Sequence, residues 1–270
     1  MITADPEIVD AIAATVIAAT GQGVEELRRG TLAMVLDSEP HARELAESIR
    51  THFSLDGVSI EPCDAVDWLT HWRDGIATRS FGRLVLTPSW LPVTPSGGQV
   101  VVSIDPESAF GSGEHGSTRG ALALLERHLH PGDRVLDLGS GSGILSIAAV
   151  KLGARRAVGI EVDAEAMPVA EANARRNSVA GAASFLNGGA AELAPLVAPA
   201  EVVCSNILRS VNTLLLPVVR DALVGRGTAI FAGMEVPERS LFLPVLDAHD
   251  LEVVDDVDDA GWWSVAARRR

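Results

Sequence analysis

From residue 99 onward, short apolar runs alternate with stretches of helical periodicity, and this alternation restricts the possible folds most. Each of five such runs is followed by a helical pattern: Arg134–Leu138, Ala157–Val162, Ser184–Leu186, Glu201–Ser205 and Thr228–Ala232. Continuous apolar strands that alternate with helices are typical of a parallel sheet covered on both faces. The last two runs, Leu251–Val257 and Trp262–Ala267, are joined by a short turn and must be antiparallel. The pattern therefore predicts an α/β fold with a mostly parallel sheet and an antiparallel C-terminal hairpin.

The first 65 residues show a different pattern, which predicts a small α+β module. Helical periodicity covers Ile8–Thr20 and Pro40–His52. A short apolar run that predicts a strand follows each of these helical stretches, at Thr31–Leu36 and Gly57–Glu61, which gives the order αβαβ. The module would therefore fold separately from the α/β domain at 99–270.

Residues 66–98 are predicted to connect the two domains. Asp67, Trp68 and Trp72 are predicted to lie on a helix, where both tryptophans share one face and serve either as packing anchors or as a substrate-facing patch. The run Phe81–Leu86 predicts a strand. Prolines and glycines then break regular structure up to Gly98, so we predict the domain border there.

Charge and composition restrict the partners. The formal net charge of −14 repels phosphate backbones, so direct DNA binding is disfavoured and a basic protein or a small molecule fits better. No segment approaches the roughly 20 apolar residues of a membrane span. Cys63 and Cys204 lie far apart without metal or redox spacing, which predicts reduced thiols, no metal and a cytoplasmic location.

A glycine-rich loop, Asp137–Gly143, follows the strand Arg134–Leu138 and precedes a helix. Glycines allow a tight turn and close approach of a ligand, and the helix N-terminus favours a carboxylate or a phosphate. The dinucleotide fingerprint requires G-x-G-x-x-G, but Ile144 and Ser146 occupy the two positions where its third glycine would fall. The spacing therefore argues against a nicotinamide oxidoreductase. An acidic residue followed by G-x-G-x-G is instead the usual loop of methyltransferases that use S-adenosylmethionine, although a purely structural turn is the alternative.

Two polar residues at the ends of later strands strengthen this interpretation. Glu161 ends a strand about 20 residues after the loop, where an acid can accept hydrogen bonds from both ribose hydroxyls of a nucleoside. Asn206 follows the strand Glu201–Ser205, and ligands of open α/β sheets bind at the carboxyl ends of strands. Asn206 would lie beside the reactive end of the cofactor and orient an amine, or alternatively cap a helix.

The segment Asp105–Thr118, DPESAFGSGEHGST, resembles the D-P-x-x-A-F-G-T-G-x-H-x-T-T segment of the PrmA family. The connector, the loop Asp137–Gly143 and Ser205–Leu208 are similar to that family as well, and the resemblance covers about residues 66–270. It implies a class I methyltransferase fold with a Rossmann-like seven-stranded sheet, and S-adenosylmethionine as cofactor. It further implies methylation of amino groups on a large-subunit ribosomal protein, with the first module recognising that protein.

The resemblance also implies site residues. The predicted cofactor-binding residues are Thr118, Asp137, Gly139, Gly141, Gly143, Glu161 and Asn206, and Asn206 is also the predicted catalytic residue. This chain departs from the family pattern at Ser112, which replaces Thr, and at Glu161, which replaces the commoner Asp. The loop Phe110–Gly113 would cover the cofactor as a lid, and His115 would be either a general base or a helix cap.

The module at residues 1–65 carries no motif that matches the family, so the substrate stays open at this point. The alternatives are another protein, a small amine methylated by the same catalytic domain, and a module that binds the cofactor without turnover.

Overall fold

The computed structural model describes residues 1–5, 8–20, 25–28, 30–34, 36, 38–53, 55, 57–61, 76–105 and 109–270. The chain divides into two compact units, Met1–Gly75 and Ile76–Arg270. Predictions that concern Cys63, Asp67, Trp68, Trp72 and the motif residues 106–108 lie outside the described residues. The predicted domain borders after residues 65 and 98 remain predictions.

The described part of the first unit contains a three-stranded antiparallel sheet in the order β1-β3-β2, together with two helices. Its elements are β1 (Ile2–Thr3), α1 (Val9–Thr20), β2 (Glu25–Arg28), β3 (Thr31–Ala33) and α2 (Glu39–Phe53). Ile12, Val16 and Ile49 are fully buried between the helices and the sheet. The α+β class is confirmed. The predicted strand at Gly57–Glu61 is wrong, because within it only Val58 forms a bridge, to Ile2.

The second unit begins with a small three-stranded sheet of β4 (Arg79–Phe81), β5 (Leu84–Thr87) and β6 (Val100–Ser103). The prediction of one strand over Phe81–Leu86 is wrong. Gly82 has a φ of +55°, a left-handed conformation that turns the chain and makes β4 and β5 antiparallel partners. β5 then pairs in parallel with β6.

The main sheet has seven strands in the order β12-β13-β11-β10-β7-β8-β9. The strands are β7 (Arg134–Leu138), β8 (Arg156–Glu161), β9 (Ala183–Asn187), β10 (Ala200–Asn206), β11 (Leu223–Glu235), β12 (Leu251–Asp259) and β13 (Trp262–Arg269). The helices are α3 (Gly116–His128), α4 (Ile144–Leu152), α5 (Ala166–Arg176), α6 (Ala190–Val197), α7 (Arg209–Ala222) and α8 (Arg239–Ala248), and Val236–Glu238 is a 3₁₀ turn. Only β13 runs antiparallel to its neighbours β11 and β12, so the predicted sheet and hairpin are confirmed.

Two apolar cores cover the two faces of this sheet, and β7 contributes to both. Val135 belongs to one core, and Leu136 and Leu138 belong to the other, as alternation along a strand requires. Asp137 therefore shares the face of Val135. None of the helices in the described part of the chain is long and apolar enough to cross a membrane.

The parallel strands place their carboxyl ends at a single edge of the sheet. Leu138, Glu161, Asn206 and Glu235 end β7, β8, β10 and β11, and the antiparallel strand β13 begins at that edge with Trp262. We refer to this edge, with the loops that follow it, as the carboxyl edge.

Candidate cofactor site

The glycine loop after β7 has no room for side chains. Gly139, Gly141 and Gly143 have φ angles of +75°, +49° and +80°. A Cβ on Gly141 would lie 2.5 Å from the Phe110 carbonyl oxygen, and one on Gly143 would lie 2.7 Å from the Phe185 ring. Both the backbone conformation and the close packing therefore require glycine here.

The N–H groups of this loop already have protein acceptors. Those of Gly139 and Ser140 donate to the Ile160 carbonyl, that of Ser142 to the Phe110 carbonyl and that of Gly143 to the Ser140 carbonyl. The remaining one, from Gly141, donates to the Glu161 carboxylate at 2.8 Å. The loop is thus held in its conformation from both sides, and its backbone N–H groups are all used within the protein.

Asp137 lies fully buried behind the loop. Its Oδ2 accepts hydrogen bonds from the Ser146 N–H at 3.1 Å and the Ser146 hydroxyl at 2.8 Å, while its Oδ1 has no hydrogen-bond partner. Burial raises the pKa of Asp137 from 3.8 to about 6, and the two Ser146 hydrogen bonds oppose that rise. These contacts link β7 to the start of α4, so Asp137 acts on the shape of the loop from behind.

Cys204 is the neighbour of Asp137 on β10, where the two residues are paired in the parallel register. Its thiol is free and buried, and burial raises its pKa well above the ordinary value. A thiol in this state is a poor nucleophile and a poor metal ligand. Within the described ranges, no group of three His, Cys, Asp or Glu residues could hold a metal ion.

Glu161 connects the end of β8 to the glycine loop. Besides the Gly141 N–H, its carboxylate accepts the Asp163 N–H at 3.0 Å through the other oxygen. A carboxylate has about four lone-pair sites, so each oxygen can accept a further hydrogen bond. The predicted ribose contact and the contact with the loop are therefore compatible.

Thr118 and Asn206 were predicted separately, and the structure brings them together. The Asn206 side-chain N–H donates to the Thr118 hydroxyl oxygen at 3.1 Å, across 88 positions of sequence. Thr118 is fully buried near the start of α3, and Asn206 ends β10. The Oδ1 atom of Asn206 is buried and has no hydrogen-bond partner. Because an unpaired buried acceptor costs about 1–3 kcal/mol, a donor of a bound molecule would stabilise this arrangement.

The segment Phe110–Gly111 lies against the glycine loop. Ser142 donates its N–H to the Phe110 carbonyl at 2.9 Å and its hydroxyl to the Gly111 carbonyl at 2.8 Å. The Phe110 side chain is 58% exposed. Backbone groups therefore hold the predicted lid to the loop while its aromatic ring faces outward.

Three aromatic rings meet at this edge. The His115 ring lies 5.5 Å from the Phe110 ring and 4.2 Å from the Trp262 ring, measured between centroids. His115 occupies the N-cap position of α3 without a capping hydrogen bond, and its Nδ1 lies 2.7 Å from the Ser117 hydroxyl. Burial, together with the charge of Arg119, lowers the His115 pKa and so favours the neutral ring. Sequence reasoning missed Trp262, because no motif surrounds it and only the hairpin position brings it here.

Ion pairs fix the start of α3 to the terminal hairpin. Arg119 makes two hydrogen bonds to the Asp259 carboxylate, at 2.6 and 2.7 Å. These bonds lower the Asp259 pKa, against the opposing effect of burial. Arg119 also donates to the Glu114 carbonyl, and Glu114 pairs with Arg79. Thr118 is thereby held at a defined position relative to the edge of the sheet.

Comparison with known proteins gives a consistent result. The family model described as "Ribosomal protein L11 methyltransferase (PrmA)" matches residues 12–270. A protein of that name from Pelotomaculum thermopropionicum is 36% identical over 212 residues, which are 78% of this chain and 68% of the relative. One from Thermus thermophilus is 36% identical over 203 residues, 75% of this chain and 78% of the relative. The crystal structure of a ribosomal protein L11 methylase from Lactobacillus delbrueckii subsp. bulgaricus is similar with a TM-score of 0.65 and 27% identity, covering 72% of this chain and 98% of that one.

Proposed function

Because this chain belongs to the ribosomal protein L11 methyltransferase family, a family of S-adenosylmethionine-dependent protein methyltransferases, we propose that it methylates amino groups of ribosomal protein L11. The relatives are named for that protein substrate, which makes a small-molecule amine the less favoured alternative. The contact between Thr118 and Asn206 beside the glycine loop is the observation that carries the proposal.

The residues at the carboxyl edge fit S-adenosylmethionine. Glu161 has acceptor capacity left for the two ribose hydroxyls, and its contact with the Gly141 N–H places it beside the glycine loop. Asp137 and Gly143 would support the loop from behind rather than touch the cofactor. Once bound, the cofactor supplies an electrophilic methyl group on a sulfonium.

Asn206 would position the substrate amine. Its N–H is engaged by Thr118, which orients the amide so that Oδ1 is left as an acceptor for an amine N–H. That hydrogen bond would aim the nitrogen lone pair along the line of displacement. Holding two reactants in a fixed geometry lowers the activation barrier, by up to about 7–11 kcal/mol in well-oriented reactions.

The target amine must be neutral to act as a nucleophile. The amide oxygen of Asn206 is not a base and does not remove the proton from the amine. Entry of a lysine into this partly buried site lowers the pKa of its amine, because burial disfavours the charged form. The rate of transfer should therefore rise with pH towards the pKa of the target amine.

The proposed function also implies the kind of protein partner and the cellular location of the enzyme. A net charge of −14 favours a basic ribosomal protein as partner and disfavours direct DNA binding. Ribosomal proteins are made and assembled in the cytoplasm, so we place the enzyme there.

The test is transfer of radiolabelled methyl from S-adenosylmethionine to purified ribosomal protein L11 from the same organism. Wild-type protein should label L11, and Asn206→Ala should lose most of the rate while still binding the cofactor. Thr118→Val should lower the rate because it removes the acceptor that orients Asn206, and Thr118→Ser should restore it. Labelling of low-mass amines in a lysate without labelling of L11 would support the small-molecule alternative instead.

A further inference from the structure

Five large apolar side chains are exposed just beyond the carboxyl ends of β10 and β11. They are Leu208, Val211, Leu214, Val236 and Leu241. Leu208 is 68% exposed and Leu214 is 76% exposed, although leucine is usually buried. We call these five residues the apolar rim. A patch of apolar side chains surrounded by polar residues commonly marks a binding surface.

Helical spacing, one hydrogen bond and the packing of two helices connect the segments that carry the rim. Leu208, Val211 and Leu214 follow one another at intervals of three along the first turns of α7, which makes them neighbours on the helix surface. Arg209 at the start of α7 donates to Glu238 at 2.9 Å, and Glu238 belongs to the 3₁₀ turn that Val236 begins. Leu241 follows in α8, a helix that packs against α7. The two chain segments that carry the rim are therefore adjacent.

The rim lies beside the position proposed for methyl transfer. Leu208 is two residues beyond Asn206, and the backbone of Ile207 packs directly on Gly233 of β11. In the sheet, β10 separates β11 from β7 and β8, which carry the glycine loop and Glu161. The helices α7 and α8 pack on the sheet face of Val203, whereas the Asn206 side chain lies on the other face with Thr118, so a molecule on the rim would reach Asn206 across the carboxyl edge.

The charges around the rim select the kind of partner. Arg209 pairs with Glu238, and Arg239 pairs with Asp256 at 3.0 Å. Asp258 lies 4.0 Å from the same arginine, and Glu235 at the end of β11 is exposed. Four carboxylates against two arginines leave two negative charges beside the apolar side chains. This combination complements a basic polypeptide that also carries apolar side chains, whereas it repels a second copy of this acidic chain.

We propose that the apolar rim is the docking surface for the polypeptide segment that flanks the target amine of the substrate. This proposal rests on the proposed function, and it assigns to the catalytic unit a contact with the substrate protein that lies outside the cofactor site. Apolar contacts on the rim would hold the segment, and the nearby carboxylates would attract its basic residues.

The first experiment compares Leu214→Ser/Leu241→Ser with the control Leu196→Ser. Leu196 lies on α6 outside the rim and is 77% exposed, so it matches Leu214 in residue type and exposure. The KM for purified ribosomal protein L11 should rise roughly tenfold or more in the rim variant, since burying one leucine contributes at least that factor. The kcat and the affinity for S-adenosylmethionine should stay at the wild-type values, and the control should not change.

The second experiment separates the apolar effect from the electrostatic one. Leu214→Glu and Leu214→Lys both remove the apolar contact, but the lysine also repels a basic partner. The KM for L11 should therefore be higher for the lysine variant, and the difference should shrink at about 1 M salt, where the Debye length is about 3 Å.

Two results would decide against the docking proposal, and a third would decide against the proposed function. An unchanged KM in Leu214→Ser/Leu241→Ser would show that the rim does not contact L11. A change from dimer to monomer in sedimentation, without a change in KM, would assign the rim to a second copy of the chain. If wild-type protein labels L11 but the rim variant has the same KM for L11 as Leu196→Ser, only the docking proposal fails. If wild-type protein does not label L11 at all, the proposed function fails.

Discussion

Replacing Asp137 by asparagine should change how stability depends on pH. Asp137 is fully buried, its Oδ1 has no partner, and burial raises its pKa from 3.8 to about 6. The folded state therefore binds this proton more tightly than the unfolded state does. Its contribution to stability is fully present below pH 3.8 and is lost as the pH rises through about 6. Asparagine at this position does not titrate.

The size of the effect follows from the two pKa values. Raising the pH from about 5 to about 7.5 should lower the stability of the wild type by about 1.4 kcal/mol through Asp137 alone. The free energy of unfolding of Asp137→Asn, minus that of the wild type, should rise by this amount over the same interval. The absolute difference also contains the cost of a buried amide without a partner, about 1–3 kcal/mol, but that cost does not vary with pH.

The assay is urea unfolding followed by circular dichroism at several pH values between about 5 and about 7.5. Glu201→Gln is the control, because the hydrogen bond from Arg134 lowers the Glu201 pKa to about 2. The stabilisation from Glu201 is present above its ordinary pKa of 4.5 and is lost only as the pH falls towards 2, so this control should show no trend in the interval. If the free energy of unfolding of Asp137→Asn minus that of the wild type stays flat or falls as the pH rises, Asp137 is not a buried carboxylate with a raised pKa.

Three further changes test the site and its support. Glu161→Gln replaces a carboxylate that accepts the Gly141 N–H, so the Kd for S-adenosylmethionine should rise roughly tenfold when measured by calorimetry. An unchanged or lower Kd would count against the ribose contact. Gly141→Ala places a Cβ 2.5 Å from the Phe110 carbonyl at a φ of +49°, and the affinity for the cofactor should fall by at least as much; unchanged binding would contradict the close packing of the loop. Gly120→Ala places a Cβ 2.4 Å from the Ser264 hydroxyl on β13, and the free energy of unfolding should drop by about 1–3 kcal/mol. The added variant Ser264→Ala should restore part of that loss, because it removes the clashing oxygen; no restoration would argue against this packing.

Local sequence patterns were enough to predict the main sheet and the loop. Apolar runs that alternate with helical periodicity indicated the parallel sheet, and the short turn at residues 258–261 indicated an antiparallel hairpin. The spacing of Gly139, Gly141 and Gly143 predicted the loop, because backbone conformation depends on neighbouring residues. The prediction of one strand over Phe81–Leu86 failed because the apolar residues on both sides of Gly82 look like a continuous strand, whereas Gly82 forms a turn.

In the first unit, local sequence patterns are too weak to predict two of the strands. The strands β1 and β2 span two and four residues, which are too short for an alternation to be recognised. Both strands are formed by pairing with β3, and this pairing depends on how the chain folds back rather than on their own composition.

The sequence alone determined which residue types were available at the carboxyl edge, namely glycines for a bare loop, an acid after β8 and an amide after β10. Only the tertiary structure decided that Asn206 is oriented by Thr118, that Trp262 joins His115 and Phe110, and that the helices α7 and α8, which carry exposed leucines, pack together. These contacts join residues that are distant in the chain. The packing of α3 and the terminal hairpin against the sheet creates them, and no local spacing encodes which partners meet.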